Sequence, residues 1–377
     1  FVVRCSLFVV RCSLFVEMTS HAKPKLLVAA SGTGGHLFPA LATADRLADD
    51  YDIEWLGVPN RLETELVGYR YPLHTLDIGG FQQRFGTGTL QIFSRLTKAV
   101  SPCRKLLRQG NFRGVFTTGG YIAAPAIVAA RTLGLPAIVH ESNALPGKVT
   151  RWLSPWCTCV AIGFEAAETY LRRAKTVYAG TPVRSQFLTP TPLDLPIPDG
   201  VPLIAVFGGS QGAVGVNKLV REAAPAWLET GAWLVHLTGN NDPDVGSFSH
   251  PQYIEMPFYD NMAGLLQRAN LAVTRAGAGT LTELAIAKTP SILIPYPYAA
   301  EDHQAFNAAV FGAVGAAIVY RQEDLTAEKL KGKVLELIKS KRDGQLSPLE
   351  KMAKQAASLA VPNSGDRLAK LIRETIV

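Results

Sequence analysis

Short apolar runs recur along this chain, and stretches with helical spacing of their apolar positions separate most of them. In the first half the runs fall at residues 26–30, 53–56, 73–76, 115–118, 137–139, 158–161 and 176–179. In the second half they fall at 203–207, 233–237, 253–255, 271–274, 291–294 and 316–319. Apolar runs alternating with helical patterns predict βαβ units, in which a parallel sheet is covered on both faces. Between the two series stands a proline-rich stretch, from Pro182 through Pro190, Pro192, Pro196 and Pro198 to Pro202. Proline fixes φ and has no N–H to donate, so neither a helix nor a central strand crosses here. The pattern predicts two similar α/β domains, at 18–184 and 201–377, joined by a linker at 185–200. The last part, from residue 327 onward, reads as helical and charged, and the terminal helix is expected to pack back on the first domain.

Two glycine-rich turns follow corresponding runs of the two series. Ser31-Gly32-Thr33-Gly34-Gly35-His36 follows the run at 26–30, and Gly208-Gly209-Ser210-Gln211-Gly212-Ala213 follows that at 203–207. A strand, a tight turn and a helix whose first N–H groups are open form a site for an anion. Glycine allows φ > 0 and lets a phosphate come close to the backbone. The dinucleotide pattern fails at Leu37, and no Gly-Lys-Ser/Thr follows, so neither NAD(P) nor ATP hydrolysis is favoured. His36 ends the first turn, either as a structural residue or as a group that takes and gives a proton.

Further polar clusters follow predicted strands. Gly119-Gly120-Tyr121 and His140-Glu141-Ser142-Asn143 lie at the carboxyl edge of the first sheet, where open α/β sheets bind ligands. Arg275-Ala276-Gly277-Ala278-Gly279-Thr280 opens a helix that carries Glu283. Small residues leave that helix N-terminus open to a diphosphate. A carboxylate one turn inside either accepts ribose hydroxyls or stabilises its own helix. Glu301-Asp302-His303-Gln304 precedes another helix, but an Asp-His pair supplies too few ligands for a metal site.

The formal charge of the 377 residues is +7, which suits an acidic partner: nucleic acid, anionic lipid or a phosphorylated substrate. Between Asp77 and Glu141 there is no acidic residue, while Arg84, Arg95, Lys98, Arg104, Lys105, Arg108, Arg113 and Arg131 fall in that interval. Within it, Leu90, Phe93, Leu96, Val100 and Leu107 share one helical face. This basic amphipathic helix reads either as a packed helix with a solvated face or as a contact for an anionic membrane. The 5 cysteines show no zinc spacing, and Cys157 and Cys159 read as part of a buried strand in a reducing compartment. At the N-terminus the heptapeptide Phe-Val-Val-Arg-Cys-Ser-Leu occurs twice in succession ahead of Met18. Residues 1–17 are expected to be an artefactual extension with the natural start at Met18. The apolar run there is too broken by Arg4 and Arg11 for a membrane span.

Taken together, Gly32–His36 with Pro39, Gly119–Tyr121, His140–Asn143, Thr181-Pro182-Val183-Arg184, Gly208–Ala213, Arg275–Glu283 and His303–Asn307 resemble the MurG family of peptidoglycan glycosyltransferases, glycosyltransferase family 28. The resemblance implies a GT-B fold: two facing Rossmann-like domains with parallel sheets and a cleft between them. It implies inverting transfer of N-acetylglucosamine (GlcNAc) from UDP-GlcNAc to the C4 hydroxyl of undecaprenyl-diphosphate-linked MurNAc-pentapeptide (lipid I), giving lipid II for the cell wall. No cofactor or metal is implied. By that resemblance Thr33, Gly34 and Gly35 form the acceptor side, with His36 as the candidate base. Ser210 and Arg184 meet the nucleotide phosphates, and the backbone at Tyr259 meets uracil. Ala278, Gly279, Thr280, Leu281 and Thr282 belong to the diphosphate-binding helix, and Glu283 binds ribose. Asn143 and Gln304 bind the GlcNAc hydroxyls. The loop reads His-Glu-Ser-Asn where many members have His-Glu-Gln-Asn, and His303 stands where some have a second Gln. A lipid acceptor gives the basic interval a meaning: Lys148, Arg151, Trp152 and Trp156 would extend it as a peripheral contact with the cytoplasmic face of the inner membrane. The competing readings are a UDP-GlcNAc epimerase, another lipid glycosyltransferase of the same fold, and a non-catalytic nucleotide-sugar-binding partner.

Overall fold

The computed structural model describes residues 23–32, 34–77, 88–209, 212–339 and 346–377. The expected extension at 1–17, Thr33 and Ser210 lie outside the described residues. The first domain holds β1 (Lys25–Ala29), β2 (Asp52–Gly57), β3 (Leu73–Thr75), β4 (Phe112–Thr117), β5 (Ala137–Glu141), β6 (Cys159–Ile162) and β7 (Thr176–Tyr178). The second holds β8 (Leu203–Phe207), β9 (Trp233–Leu237), β10 (Tyr253–Met256), β11 (Leu271–Thr274), β12 (Ser291–Leu293) and β13 (Ala317–Val319). All the pairings are parallel, in the orders β3-β2-β1-β4-β5-β6-β7 and β10-β9-β8-β11-β12-β13. Each is the Rossmann order, with β7 added to the first.

Successive residues of a strand face opposite sides of the sheet, and here both sides are cores. Leu26 and Val28 of β1 pack with Leu37, Ala40 and Leu41, whereas Leu27 and Ala29 pack with Cys103, Leu107 and Ile122. In β8, Leu203, Ala205 and Phe207 face one core and Ile204 and Val206 the other. Double burial is why these strands read as unbroken apolar runs rather than alternating ones. Cys159 lies in β6 and is buried, while Cys157 stands before it in a turn, half-buried. Burial pushes both thiols up, that of Cys159 to about 11.

The chain passes between the domains twice. Ala179 belongs to the first core and Val183 to the second, so the first crossing lies between them. The stretch expected as a linker is a strap on the second domain: Phe187 is in its core, and Leu188, Leu193, Leu195 and Ile197 pack against it. Its prolines prevent ladder pairing, but its alternating apolar side chains still find the core. The second crossing comes late. Ala356 sits in the second core, whereas Leu368, Ala369, Ile372 and Ile376 complete the first. The terminal helix Ser364–Thr375 is fixed there by Tyr51 Oη donating to Ile376 O at 2.6 Å and by Arg373–Asp50 and Arg46–Asp366 ion pairs. The crossings touch: Ser364 Oγ donates to Thr181 O at 3.0 Å, and Gly180 (φ +74°) leaves no room for a Cβ beside Val361.

The helix Gly88–Gln109 buries Ala99, Cys103 and Leu107, spaced four apart, against the first domain. Lys98, Arg104, Lys105 and Arg108 are exposed. Over this half the apolar face is part of the core, so only the cations are free to meet a partner. No helix among the described residues is long and apolar enough to cross a membrane.

Candidate active site

In a doubly wound sheet the strands diverge from the switch point, and the loops leaving them open a crevice at the carboxyl edge. The switch point lies between β1 and β4 in the first domain and between β8 and β11 in the second. The loops leaving those four strands are the two glycine turns, Gly119-Gly120 and Arg275–Gly277.

On the first side, the helix Gly34–Ala44 begins directly after the turn and carries His36 in its first turn. His36 Nδ1 lies 2.7 Å from Thr118 O, and Thr118 Oγ1 donates back to His36 O at 2.9 Å. A carbonyl only accepts, so Nδ1 carries the hydrogen and the neutral ring holds its lone pair on Nε2. Gly119 and Gly120, at φ +90° and +74°, lie against the ring: a Cβ on Gly120 would sit 3.7 Å from Nε2. Glu63, fully buried, supports the turn from behind by accepting Gly32 N–H at 3.4 Å and Val58 N–H at 2.9 Å. Nothing in the sequence marked Glu63, because its partners lie on other elements.

The loop after β5 is rigid. Buried Glu141 accepts Asn143 N–H, Asn143 Nδ2–H and Gly147 N–H at 3.0–3.1 Å. His140 is wholly buried, with Nε2 2.9 Å from Gly180 O, and burial holds its pKa below the usual histidine value. It is a structural residue of this loop.

On the second side, the helix Ala278–Ala287 starts at Gly277, which no side chain caps. The backbone ladder begins with Leu281 N–H donating to Gly277 O, so the N–H groups of Ala278, Gly279 and Thr280 precede it and point out of the helix end. Leu281 faces the other way, into the core, and Thr282 Oγ1 donates to Ala278 O; these two offer a ligand backbone at most. Arg275 is buried beside them, donating to Ile294 O, Pro295 O and Gln322 Oε1 and stacking on Tyr296. None of these partners is a carboxylate, and burial lowers the guanidinium pKa. The second glycine turn is wedged on the loop after β9: a Cβ on Gly212 (φ +77°) would collide with Thr238 O. Asn217 holds that carbonyl with Nδ2 at 2.9 Å, and Arg221 braces the same loop through Asp242.

Arg184 and Glu283 meet each other. Arg184 Nη2 lies 2.9 Å from Glu283 Oε1, and its guanidinium stands between the rings of Phe38 and Phe187, 5.1 Å from each centroid. Burial raises the Glu283 pKa and Arg184 opposes the rise. Gln304 opens the helix His303–Ala313, and its Oε1 accepts Ala276 N–H at 3.2 Å and Tyr296 N–H at 2.9 Å, which leaves its amide hydrogens for a ligand. The Tyr259 side chain turns to the strap and donates to Asp194, and only its backbone remains for a base. Asp302 is held by Arg321 at 2.6–2.8 Å. The structure thus joins Arg184 to Glu283, ties Asn143 through Asn307 to the helix that carries Gln304, and places Gly34 and Gly35 beside His36 on one helix.

The family profile of the glycosyltransferase family 28 N-terminal domain matches residues 26–162, and that of the C-terminal domain matches 203–368. The chain belongs to glycosyltransferase family 28. A Nostoc punctiforme protein is 61% identical over 95% of this chain and 99% of its own length, and is named UDP-N-acetylglucosamine--N-acetylmuramyl-(pentapeptide) pyrophosphoryl-undecaprenol N-acetylglucosamine transferase. A Trichodesmium erythraeum protein of the same name is 59% identical over 96% of this chain and 95% of its own. The crystal structure of Acinetobacter baumannii MurG superposes with a TM-score of 0.74 at 29% identity, covering 93% of this chain and 99% of that one. The calicheamicin glycosyltransferase CalG4, at 16% identity and a TM-score of 0.68 over 94% of this chain and 98% of that one, shares the fold. As a family 28 glycosyltransferase, the chain has the two facing Rossmann-like domains of the GT-B fold.

Proposed function

We propose that this glycosyltransferase moves GlcNAc from UDP-GlcNAc to the C4 hydroxyl of lipid I, giving lipid II for peptidoglycan. The observation that carries the reading is the pairing of two switch points in one family 28 chain. One offers an imidazole with a free Nε2, the other an uncapped helix N-terminus beside a buried arginine. The C4 oxygen attacks C1 of GlcNAc from the face opposite the nucleotide, and its proton passes to His36 Nε2. The C1–O bond to UDP breaks, its electron pair leaves on the diphosphate, and the configuration inverts. The N–H groups at 278–280, together with Arg275 and Arg184, would stabilise the departing charge; donors of this kind are worth about 3–4 kcal/mol each. Asn143 and Gln304 would hold the sugar hydroxyls, and Glu283 the ribose. Mixing the protein with UDP-GlcNAc and a short-chain lipid I analogue should release UDP only when the analogue is present. Release without it would favour the epimerase reading and overturn this one.

The same reading puts the enzyme peripherally on the cytoplasmic face of the inner membrane. The support is the exposed cations Lys98, Arg104 and Lys105, with Trp152 and Trp156 exposed at 74% and 47% beside Lys148. Each basic residue near an anionic surface contributes about 1 kcal/mol. Replacing Lys98, Arg104 and Lys105 with Glu should therefore weaken binding to anionic vesicles by about 100-fold or more. Unchanged sedimentation with the vesicles would rule this patch out.

A further inference from the structure

We propose that Asn307 is a positioning residue that ties the acceptor-side loop to the diphosphate helix; this rests on the function proposed above. Asn307 is completely buried on the helix His303–Ala313, yet its amide reaches both domains. Its Oδ1 accepts Ala144 N–H at 2.8 Å from the first domain. Its Nδ2 donates to Asn143 Oδ1 at 3.1 Å, also in the first domain, and to Ala276 O at 3.1 Å in the second. Both amide hydrogens are used.

What lies at each end makes the bridge consequential. Toward the first domain it ends on the loop that Glu141 holds rigid, and on Asn143, the residue assigned to the sugar. Toward the second it ends on the peptide before Gly277, where the diphosphate helix starts. Ala276 is held on both sides, its N–H by Gln304 and its C=O by Asn307. The sugar contacts and the leaving-group contacts are thereby set by one amide. Two flanking contacts follow the same seam: Arg151 Nη2 lies 2.5 Å from Glu301 Oε2, and Tyr170 meets Phe306 edge-to-face at 6.4 Å. Those side chains are partly exposed, whereas the Asn307 amide, Ala144 and Ala276 are buried, so losing it takes the partner from Ala144 N–H and from Ala276 O.

The test uses the full chain with Asn307→Ala and Asn307→Asp. Misplacing a reacting group by about 1 Å costs on the order of 100-fold in rate. Asn307→Ala should lower kcat with the lipid I analogue about 10- to 100-fold. UDP-GlcNAc affinity without acceptor, read by calorimetry, should also fall, but by a smaller factor than kcat. Hydrogen exchange should rise in the segments 141–147 and 275–277 together, one in each domain. Asn307→Asp keeps the shape and the acceptor but faces Ala276 O and Asn143 Oδ1 with a carboxylate. Its activity relative to wild type should climb as pH falls, because protonation restores one donor. A kcat within twofold of wild type, exchange rising at 275–277 alone, or a flat relative pH profile would each overturn the proposal. If wild type itself shows no acceptor-dependent UDP release, the proposed function fails, while the exchange measurement still reads the bridge.

Discussion

Replacing His36 with alanine is expected to lower kcat about 100- to 10,000-fold, the usual range for losing a positioned base. Donor KM should stay within about threefold, because the proposed function assigns the ring to the acceptor. The expectation rests on the tautomer. Thr118 O accepts from Nδ1, which leaves Nε2, beside Gly120, as the ring nitrogen able to take a proton. His36→Gln supplies the control, since a glutamine amide can still donate to Thr118 O but takes no proton at neutral pH. If both variants fall equally, the ring acts on the proton. If glutamine restores most of the rate, the residue acts by holding the Thr118–Gly120 loop. A fully active His36→Ala enzyme would remove it from the mechanism.

Glu283→Ala is the other large effect. Hydrogen bonds from hydroxyls to a carboxylate contribute about 1.5–3 kcal/mol, so donor KM should rise roughly 10- to 100-fold with a smaller change in kcat. The pH dependence is more specific. Burial raises the Glu283 pKa and Arg184 opposes the rise. As pH falls the carboxylate takes up a proton and loses acceptor capacity, so wild-type donor KM should increase toward acid. Arg184→Met removes the opposing charge, so the increase should begin at higher pH. In Glu283→Ala this pH effect should vanish. Titrations of KM for the three proteins decide the point. An Arg184→Met profile whose midpoint coincides with that of wild type would show that the pair does not govern donor binding.

The apolar runs located all the strands described here: β8, β9 and β11 match at both ends, and the other ends fall within three residues. For the central strands such as β1 and β8 that success has a physical reason: strands buried on both faces need unbroken apolar sequence. The glycine turns were legible for a similar reason, since few residues tolerate their backbone. Side-chain partners were not. Arg184 and Glu283 stand 99 positions apart, and Asn143 and Asn307 stand 164 apart. Such pairings exist only once both sheets are formed. Asn307 did leave a trace: it is a polar residue on the helix face that buries Ala308 and Phe311, where an unpaired amide would be costly. The stretch at 185–200 packs as a strap although its prolines break secondary structure, because a break in secondary structure is not a break in packing.

The two crossings carry a consequence for synthesis and for dissection. Leu368, Ile372 and Ile376 are each at most 1% exposed in the first domain's core, and burying such side chains contributes about 1.5–3 kcal/mol apiece. A nascent chain that has emerged only as far as residue 184 therefore lacks part of its own interior. The first domain cannot reach full stability until residues 368–376 have left the ribosome. An isolated fragment ending at the first crossing would expose that gap to solvent. The piece that should fold alone is discontinuous, the first domain with the terminal helix spliced after it. The order in which the domains are encoded is not the order in which they become complete.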